Sequence, residues 1–507
     1  MERTVPLRAG RRGQQIRSAT IQGMLWVAAE RFGGQVVDQV FTIILARMLL
    51  PRDFGLLASA AIFTTLLAIF QNLGLNAAIV RRQEVDEEYL STAFWGNVAA
   101  GLLLFAVTLV AGRYAGSLLR EPIVGTILAV LAVRFLITAG SGTQRALITR
   151  DMDYRKLTLR MTTAKAFGGV VALGMALGGL GVWSLVGQLL MGTAASTALL
   201  WRATGWRPKW RFSWAKFVDL WSFGAPILLT SLFRFLIRNT DNLLVARYLG
   251  AAALGFYGLA YTVFTAPLTE LGLIVNRVMF SALSRVNDDA ERLRRAFLLS
   301  TKYLTMLALP MMLGLALVAA PFVEAFYGAR WLPVAPVLSI FAVAGFLHLL
   351  ISLGPTGLQA AGRSDLQLVW AILSAVLYIP AFAIGLRWGI AGVAAGYLLA
   401  TCILTPLQYG FVSRVMGVTV SAMWDSVRPS LIGCVVMVAV VLLLRLFVVP
   451  EGWPPLVILL VLVAAGVLTY GGVFWLRHRQ SLLDLFQILR QDVPLPRRRL
   501  APESGEL

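Results

Sequence analysis

The chain has 507 residues, of which 58% are hydrophobic and only 14% charged, with a mean hydropathy of +0.76. A soluble domain carries about 25% charged residues, so composition excludes a soluble globular enzyme and points to a helical membrane protein, whose elements satisfy their own backbone hydrogen bonds. The formal charge of +20 does not indicate nucleic acid, because the basic residues alternate with apolar runs. Two cysteines (Cys402, Cys434) and two histidines (His348, His478) suggest neither a disulfide framework nor a metal site.

Met1 to Arg17 is basic and reads as a cytoplasmic tail (1–17). The apolar stretch after it is longer than the roughly 7–15 residues of a signal-peptide core. Runs of roughly 20 apolar residues then predict fourteen spans: 18–49, 53–79, 91–112, 122–143, 158–178, 181–203, 214–247, 251–282, 296–319, 332–354, 366–386, 388–412, 429–449 and 455–476. The fold class expected is an all-α polytopic membrane protein of about fourteen transmembrane helices. With the N-terminus in the cytoplasm, about 31 Lys and Arg fall on the inner side and about 8 outside, the asymmetry that sets topology. An even number of spans puts both termini on that inner side. The tail 477–507 holds one amphipathic stretch, Ser481 to Arg490, expected to lie on the membrane surface, and then becomes rich in Pro and Arg.

Ala46-Arg47-Met48-Leu49 with Gly55 recurs two hundred positions later as Ala246-Arg247-Tyr248-Leu249 with Gly255. In that register Leu45 pairs with Val245 and Ala60 with Ala260, although Leu67 faces Pro267. Six spans separate the copies, so both insert in the same orientation, as in a parallel repeat about an axis along the membrane normal. The expected division is a first six-helix bundle over 18–203, a basic and aromatic linker over 204–213, a second bundle over 214–413, and helices thirteen and fourteen over 429–476.

Several segments carry a family resemblance. They are Ile44 to Gly55, Asn72-Leu73-Gly74-Leu75, Arg150 to Leu157, Asp241-Asn242-Leu243-Leu244, Tyr248 to Tyr257, and Gly362-Arg363-Ser364-Asp365. In order and spacing they resemble the Wzx-type polysaccharide flippases of the multidrug/oligosaccharidyl-lipid/polysaccharide (MOP) exporter superfamily, the colanic-acid-type exporters in particular. The resemblance covers nearly the whole chain. It implies two six-helix bundles around a central cavity, two further C-terminal helices, and alternating access. It also implies a polyprenyl-diphosphate-linked oligosaccharide as cargo, carried from the cytoplasmic to the periplasmic leaflet of the bacterial inner membrane. Polysaccharide polymerase and chain-length proteins are the protein partners that go with such a role. No cofactor is expected, and one chain already holding both halves suggests a monomer.

Charges inside spans are costly, at roughly 2.5–3.5 kcal/mol for a basic residue at mid-membrane, and must face a wet cavity or a partner. The basic ones are Arg31, Arg134, Lys165, Arg234, Arg238 and Arg277. Guanidinium groups bind phosphate bidentately, so these form a candidate cationic cavity for a diphosphate, with Arg234 and Arg238 foremost, then Arg134 and Arg31. The acids Glu30, Asp38, Asp241 and Glu270 are candidates for coupling transport to an ion gradient, Glu30 and Asp38 first. Local ion pairing, such as Arg238 with Asp241 or Glu270 with Arg277, is the plainer alternative. In the repeat register Asp38 corresponds to Arg238, so the two are able to meet across the axis. Helices thirteen and fourteen are charge-free from Leu431 to Leu444 and from Leu456 to Tyr470, suited to lipid or to an isoprenoid tail.

Three other patterns carry less. Trp201 to Trp214 interleaves aromatics with cations and reads as an interfacial belt meeting anionic headgroups rather than a nucleic-acid surface. Asp151-Met152-Asp153 is formally an Asp-x-Asp motif, but nothing around it forms a nucleotide fold. A Gly-x-x-x-x-Gly-Lys loop is missing, which argues against ATP-driven pumping. The competing functions are a multidrug or small-cation antiporter of the same superfamily and a membrane-embedded polymerase or ligase. Short outward loops weigh against the polymerase or ligase.

Overall fold

The computed structural model describes residues 33–71, 75–76, 79, 85–150, 154–283, 290–360, 364–450, 452–481 and 483. Among them all regular structure is helical. The first helix, α1, covers 33–48 of the described residues, and α2 (Pro51–Gln71), α3 (Glu87–Leu118) and α4 (Pro122–Ala139) follow. A short α5 (Gly142–Arg150) precedes α6 (Tyr154–Leu177) and α7 (Val182–Ala203). Then come α8 (Trp214–Leu249), α9 (Ala251–Leu283), α10 (Ala290–Leu317) and a short α11 (Ala319–Tyr327). The chain ends in α12 (Val334–Ala360), α13 (Ser364–Gly385), α14 (Gly389–Met416), α15 (Val420–Leu443) and α16 (Pro455–Arg477).

Each expected span overlaps a helix among the described residues, the first of them only over 33–48, and the short α5 and α11 are additional to the expected spans. Ten described stretches are long and apolar enough to cross a membrane, one of them, Val369–Met416, running through both α13 and α14. The chain is therefore a multi-pass membrane protein. Two long helices, α6 and α8, fall short of that apolar criterion for a physical reason: they carry intramembrane charges, Lys165 on α6 and Arg234, Arg238 and Asp241 on α8. Outward-facing apolar side chains, such as Leu103 and Val110 on α3 and Val467 and Leu468 on α16, remain exposed as lipid-facing surface should.

Helix starts follow local chemistry. The Asp86 side chain accepts from the Tyr89 N–H at 2.8 Å and caps α3. Ser213 caps α8 and Thr419 caps α15 in the same way, while Pro122 and Pro455 open α4 and α16, where their missing N–H costs nothing.

The chain forms two compact units. The first comprises residues 1–259, 326–334 and 379–393. Within it the repeat is visible as a contact. A Cβ added to Gly55 would fall 1.6 Å from the Ala251 carbonyl oxygen, and one added to Gly255 would fall 1.9 Å from the Pro51 carbonyl oxygen. Pro51 and Gly55 are the counterparts of Ala251 and Gly255, so the contact is reciprocal, as a twofold relation requires. Leu45, Ala46 and Ala60 are buried, and so are their counterparts Val245, Ala246 and Ala260. The linker 204–213 lies against the start of α3. Trp95 stacks on Trp210 at 4.2 Å and donates to the Lys209 carbonyl, Lys209 pairs with Glu87, and Lys216 bridges Asp86 (2.6 Å) and Glu88 (2.7 Å). Trp210 is 87% exposed, consistent with an interfacial belt.

The second unit comprises 260–325, 335–378 and 394–507. Its centre is aromatic. Phe264 stacks on Phe341 at 5.2 Å, Tyr397 meets Phe341 edge-on, and Tyr378 stacks on Tyr397. The Tyr397 hydroxyl and His348 Nδ1 share a hydrogen bond of 2.9 Å. The C-terminal pair packs on α10, where Tyr470 donates to the Met306 carbonyl at 2.8 Å and Phe474 sits against Tyr303 and Met306. The amphipathic stretch Ser481 to Arg490 lies outside the described residues apart from Ser481 and Leu483.

Candidate functional site

The first unit contains a cavity of about 540 Å³ walled by α1–α7. Its charged lining is one-sided: Arg134, Arg145, Arg160 and Lys165 against the single carboxylate of Asp38. In a chain that is only 14% charged, four cations in one cavity are a concentrated feature.

Arg134 is placed by α4. Thr138, one turn on, donates to the Arg134 carbonyl (2.8 Å) and to Gln71 Oε1 (3.0 Å), while the Gln71 amide donates to the Phe135 carbonyl at 2.7 Å. These bonds tie α2 to α4 beside the arginine. The Arg134 side chain is exposed and lines the cavity, and none of the ion pairs among the described residues involves it. Lys165 on α6 crosses to α1, where its Nζ lies 2.5 Å from Asp38 Oδ2 and 3.4 Å from the Gly34 carbonyl oxygen. Arg160, five residues before Lys165 on the same helix, is buried and lines the cavity. Arg145 enters from α5.

Neutral polar groups complete the wall. Asn97 donates to Asn76 at 3.4 Å. On α7, Gln188, Gly192 and Ser196 recur every four residues, with Thr193 and Thr197 beside them, so one face of that helix is polar where its neighbours are apolar. A diphosphate fits the guanidinium groups, and the amides and hydroxyls offer the hydrogen bonds that sugar hydroxyls need.

The structure thus brings together three of the expected residues, Asp38, Arg134 and Lys165. Asp38 pairs with Lys165 rather than meeting its counterpart Arg238. Arg238 sits exposed on α8 and is not part of this wall. Asp241 is buried and engaged, accepting from the Tyr257 hydroxyl at 2.9 Å and from the Asn242 N–H at 2.8 Å, so its partner is a tyrosine rather than Arg238. Glu30, Arg31, Asp151 and Asp153 lie outside the described residues, as do the side chains of Arg234, Glu270 and Arg277. Arg145 and Arg160 were missed because both sit beside an expected loop, where arginine reads as a topology signal.

Comparison with known proteins fits this architecture. Residues 44–336 match the model of a family described as "Polysaccharide biosynthesis protein". The chain belongs to that family. It is 29% identical over 404 residues to the lipopolysaccharide biosynthesis protein WzxC of Escherichia coli, covering 78% of this chain and 81% of the relative. It is 27% identical over 425 residues to the teichuronic acid biosynthesis protein TuaB of Bacillus subtilis, covering 81% and 86%. Among solved structures, the lipid II flippase MurJ in an inward closed conformation shares the fold, with a TM-score of 0.71 at 16% identity over 91% of this chain and all of that one. Among the described residues the chain shares that all-helical membrane fold.

Proposed function

We propose that this protein carries a polyprenyl-diphosphate-linked oligosaccharide from the cytoplasmic to the periplasmic leaflet of the inner membrane, by alternating access and without changing it chemically. The observation that carries the reading is the cavity of about 540 Å³ with four cations against one carboxylate. Relatives named for lipopolysaccharide and teichuronic acid biosynthesis, and a structural neighbour named as a lipid II flippase, support a lipid-linked glycan as cargo. A cationic wall disfavours the reading as an antiporter of small cations, which it would repel.

In this reading Arg134, Arg145 and Arg160 hold the diphosphate, and the polar face of α7 with Asn76 and Asn97 meets the sugars. The apolar isoprenoid stays in lipid, alongside surfaces such as α15 and α16. The distribution of Lys and Arg supports both termini in the cytoplasm.

The test is flipping in liposomes of a fluorescent polyprenyl-diphosphate oligosaccharide, read by a membrane-impermeant quencher. Hydrogen bonds to charged groups contribute about 1.5–3 kcal/mol each, so Arg134→Ala/Arg145→Ala should slow flipping about a hundredfold or more while melting like the parent. Flipping at the parent rate would remove these residues from the site. Efflux of small cations with no glycolipid flipping would overturn the reading itself.

A further inference from the structure

The segment Phe326–Val334, running from the end of α11 to the start of α12, is fastened to α1. A helix end leaves its last carbonyls without intrahelical donors, and the two copies of the repeat meet that need differently. At the end of α8, Gly250 adopts φ +88 and its own N–H bonds back to the Val245 carbonyl at 3.1 Å. At the end of α1 the corresponding residue is Leu50; the Leu49 N–H meets the Leu45 carbonyl at 2.8 Å, while the Ala46 and Leu49 carbonyls take donors from far along the chain. The Trp331 indole N–H bonds to the Ala46 carbonyl at 2.8 Å, and the Arg330 guanidinium reaches the Leu49 carbonyl at 3.4 Å. Two further bonds run between the same segments, from Arg47 Nε to the Phe326 carbonyl (2.9 Å) and from Gln39 to the Tyr327 hydroxyl.

Trp331 is fully buried and sits edge-on to Phe54 on α2 (5.2 Å) and to Phe256 on α9 (5.8 Å), the residues flanking the reciprocal Gly55 and Gly255 contact. One indole therefore touches α1, α2 and the start of α9 at the point where the repeat copies cross. The turn that delivers it begins at Gly328, whose φ of +92 suits glycine.

We propose that residues 326–334 form a releasable latch that holds the outward ends of α1, α2 and the start of α9 together, and that undocks, Trp331 included, when the cargo leaves. This rests on the transport reading and on the orientation given above. The bonds that hold the latch are suited to release: each involves a side chain rather than a continuous backbone ladder, and once the segment lifts away water can replace them. A cap built into the helix by its own glycine, as on α8, could not act as a switch between segments.

Two measurements test it, both in protein with Cys402 and Cys434 replaced by alanine. In the first, Gln39→Cys/Tyr327→Cys is joined by a short thiol cross-linker cleavable by reductant. Cross-linking should stop flipping and reductant should restore it, with uncross-linked protein as the folding control. Undiminished flipping across the cross-link overturns the latch. The second needs no transport and so separates failure of the latch from failure of the flippase reading. Leu49→Cys, buried beneath the latch, is labelled with a membrane-impermeant maleimide. Trp331→Phe/Arg330→Ala removes two donors while keeping an aromatic ring in place, and labelling should rise about tenfold or more. Labelling unchanged from the parent overturns the proposal.

Discussion

The closest backbone approach between the repeat copies depends on two hydrogen atoms. Gly55 and Gly255 each leave room for a carbonyl oxygen that any Cβ would strike, and the obstructing atom is backbone in both cases. Overpacking costs about 1–3 kcal/mol where side chains can yield, and backbone yields less. Gly55→Ala and Gly255→Ala should therefore each lower the melting temperature of the detergent-solubilised protein by several degrees, and by similar amounts, because the contact is reciprocal. A large loss at one position with none at the other would contradict the twofold relation. At the start of α3, Lys216 bridges Asp86 and Glu88. The bond from Lys216, followed by that from the Tyr89 N–H, holds the Asp86 carboxyl below its ordinary 3.8. An acid whose folded pKa is lowered stabilises the fold above its unfolded pKa and loses that contribution as pH falls through the folded value. The melting difference between parent and Lys216→Met should thus be present at pH 6, shrink below pH 3.8, and weaken with added salt because the pair is exposed. A difference independent of pH would assign the effect to packing of the lysine stem.

At the scale of helices, legibility followed how each residue departs from its surroundings. Long apolar runs bounded by charge overlap the long helices among the described residues, because lipid demands that length. Asp38, Arg134 and Lys165 stood out as charges in apolar runs, and they share the cavity. Arg145 and Arg160 did not stand out, since a loop between spans is where arginine is expected. The face of α7 was hidden for the opposite reason: Gln188, Thr193, Ser196 and Thr197 are uncharged, and a search for charge passes over them. Pairing was the least legible link. Helical spacing told which residues share a face but not that Lys165 would cross from α6 to Asp38 on α1. We propose that this bridge is where an ion gradient acts on the wall of the cavity. Removing the Asp38 charge would release Lys165, freeing α1 from α6 and adding a mobile cation to the cavity. Asp38→Asn should accordingly keep flipping but lose its response to an imposed pH gradient, measured in the same liposome assay. Full retention of that response would take Asp38 out of coupling.

For the molecule as a whole, the repeat and the charge distribution make different statements. The repeat relates two copies by an axis along the membrane normal, so it fixes that both insert the same way but not which way. Orientation comes from the charge alone. About 31 Lys and Arg on one side against about 8 on the other is a bias that shifting the count by one span would scramble along the rest of the chain. Four of the arginines on the outer side of that count are engaged: Arg52 pairs with Glu121 at 2.9 Å, and Arg47, Arg330 and Arg445 donate to the Phe326, Leu49 and Leu317 carbonyls. The inner basic residues, by contrast, include Arg202 and Arg211, exposed around the linker, where anionic headgroups can hold them. Reporter fusions read this directly. Alkaline phosphatase, active only outside, should be active when fused after Arg120 or Glu451, and inactive after Arg207 or at the C-terminus. A fluorescent protein at the C-terminus should be bright. The reversed pattern would turn the cavity's arginines to the outer leaflet and the latch to the cytoplasm, and with them the direction in which cargo is taken up and released.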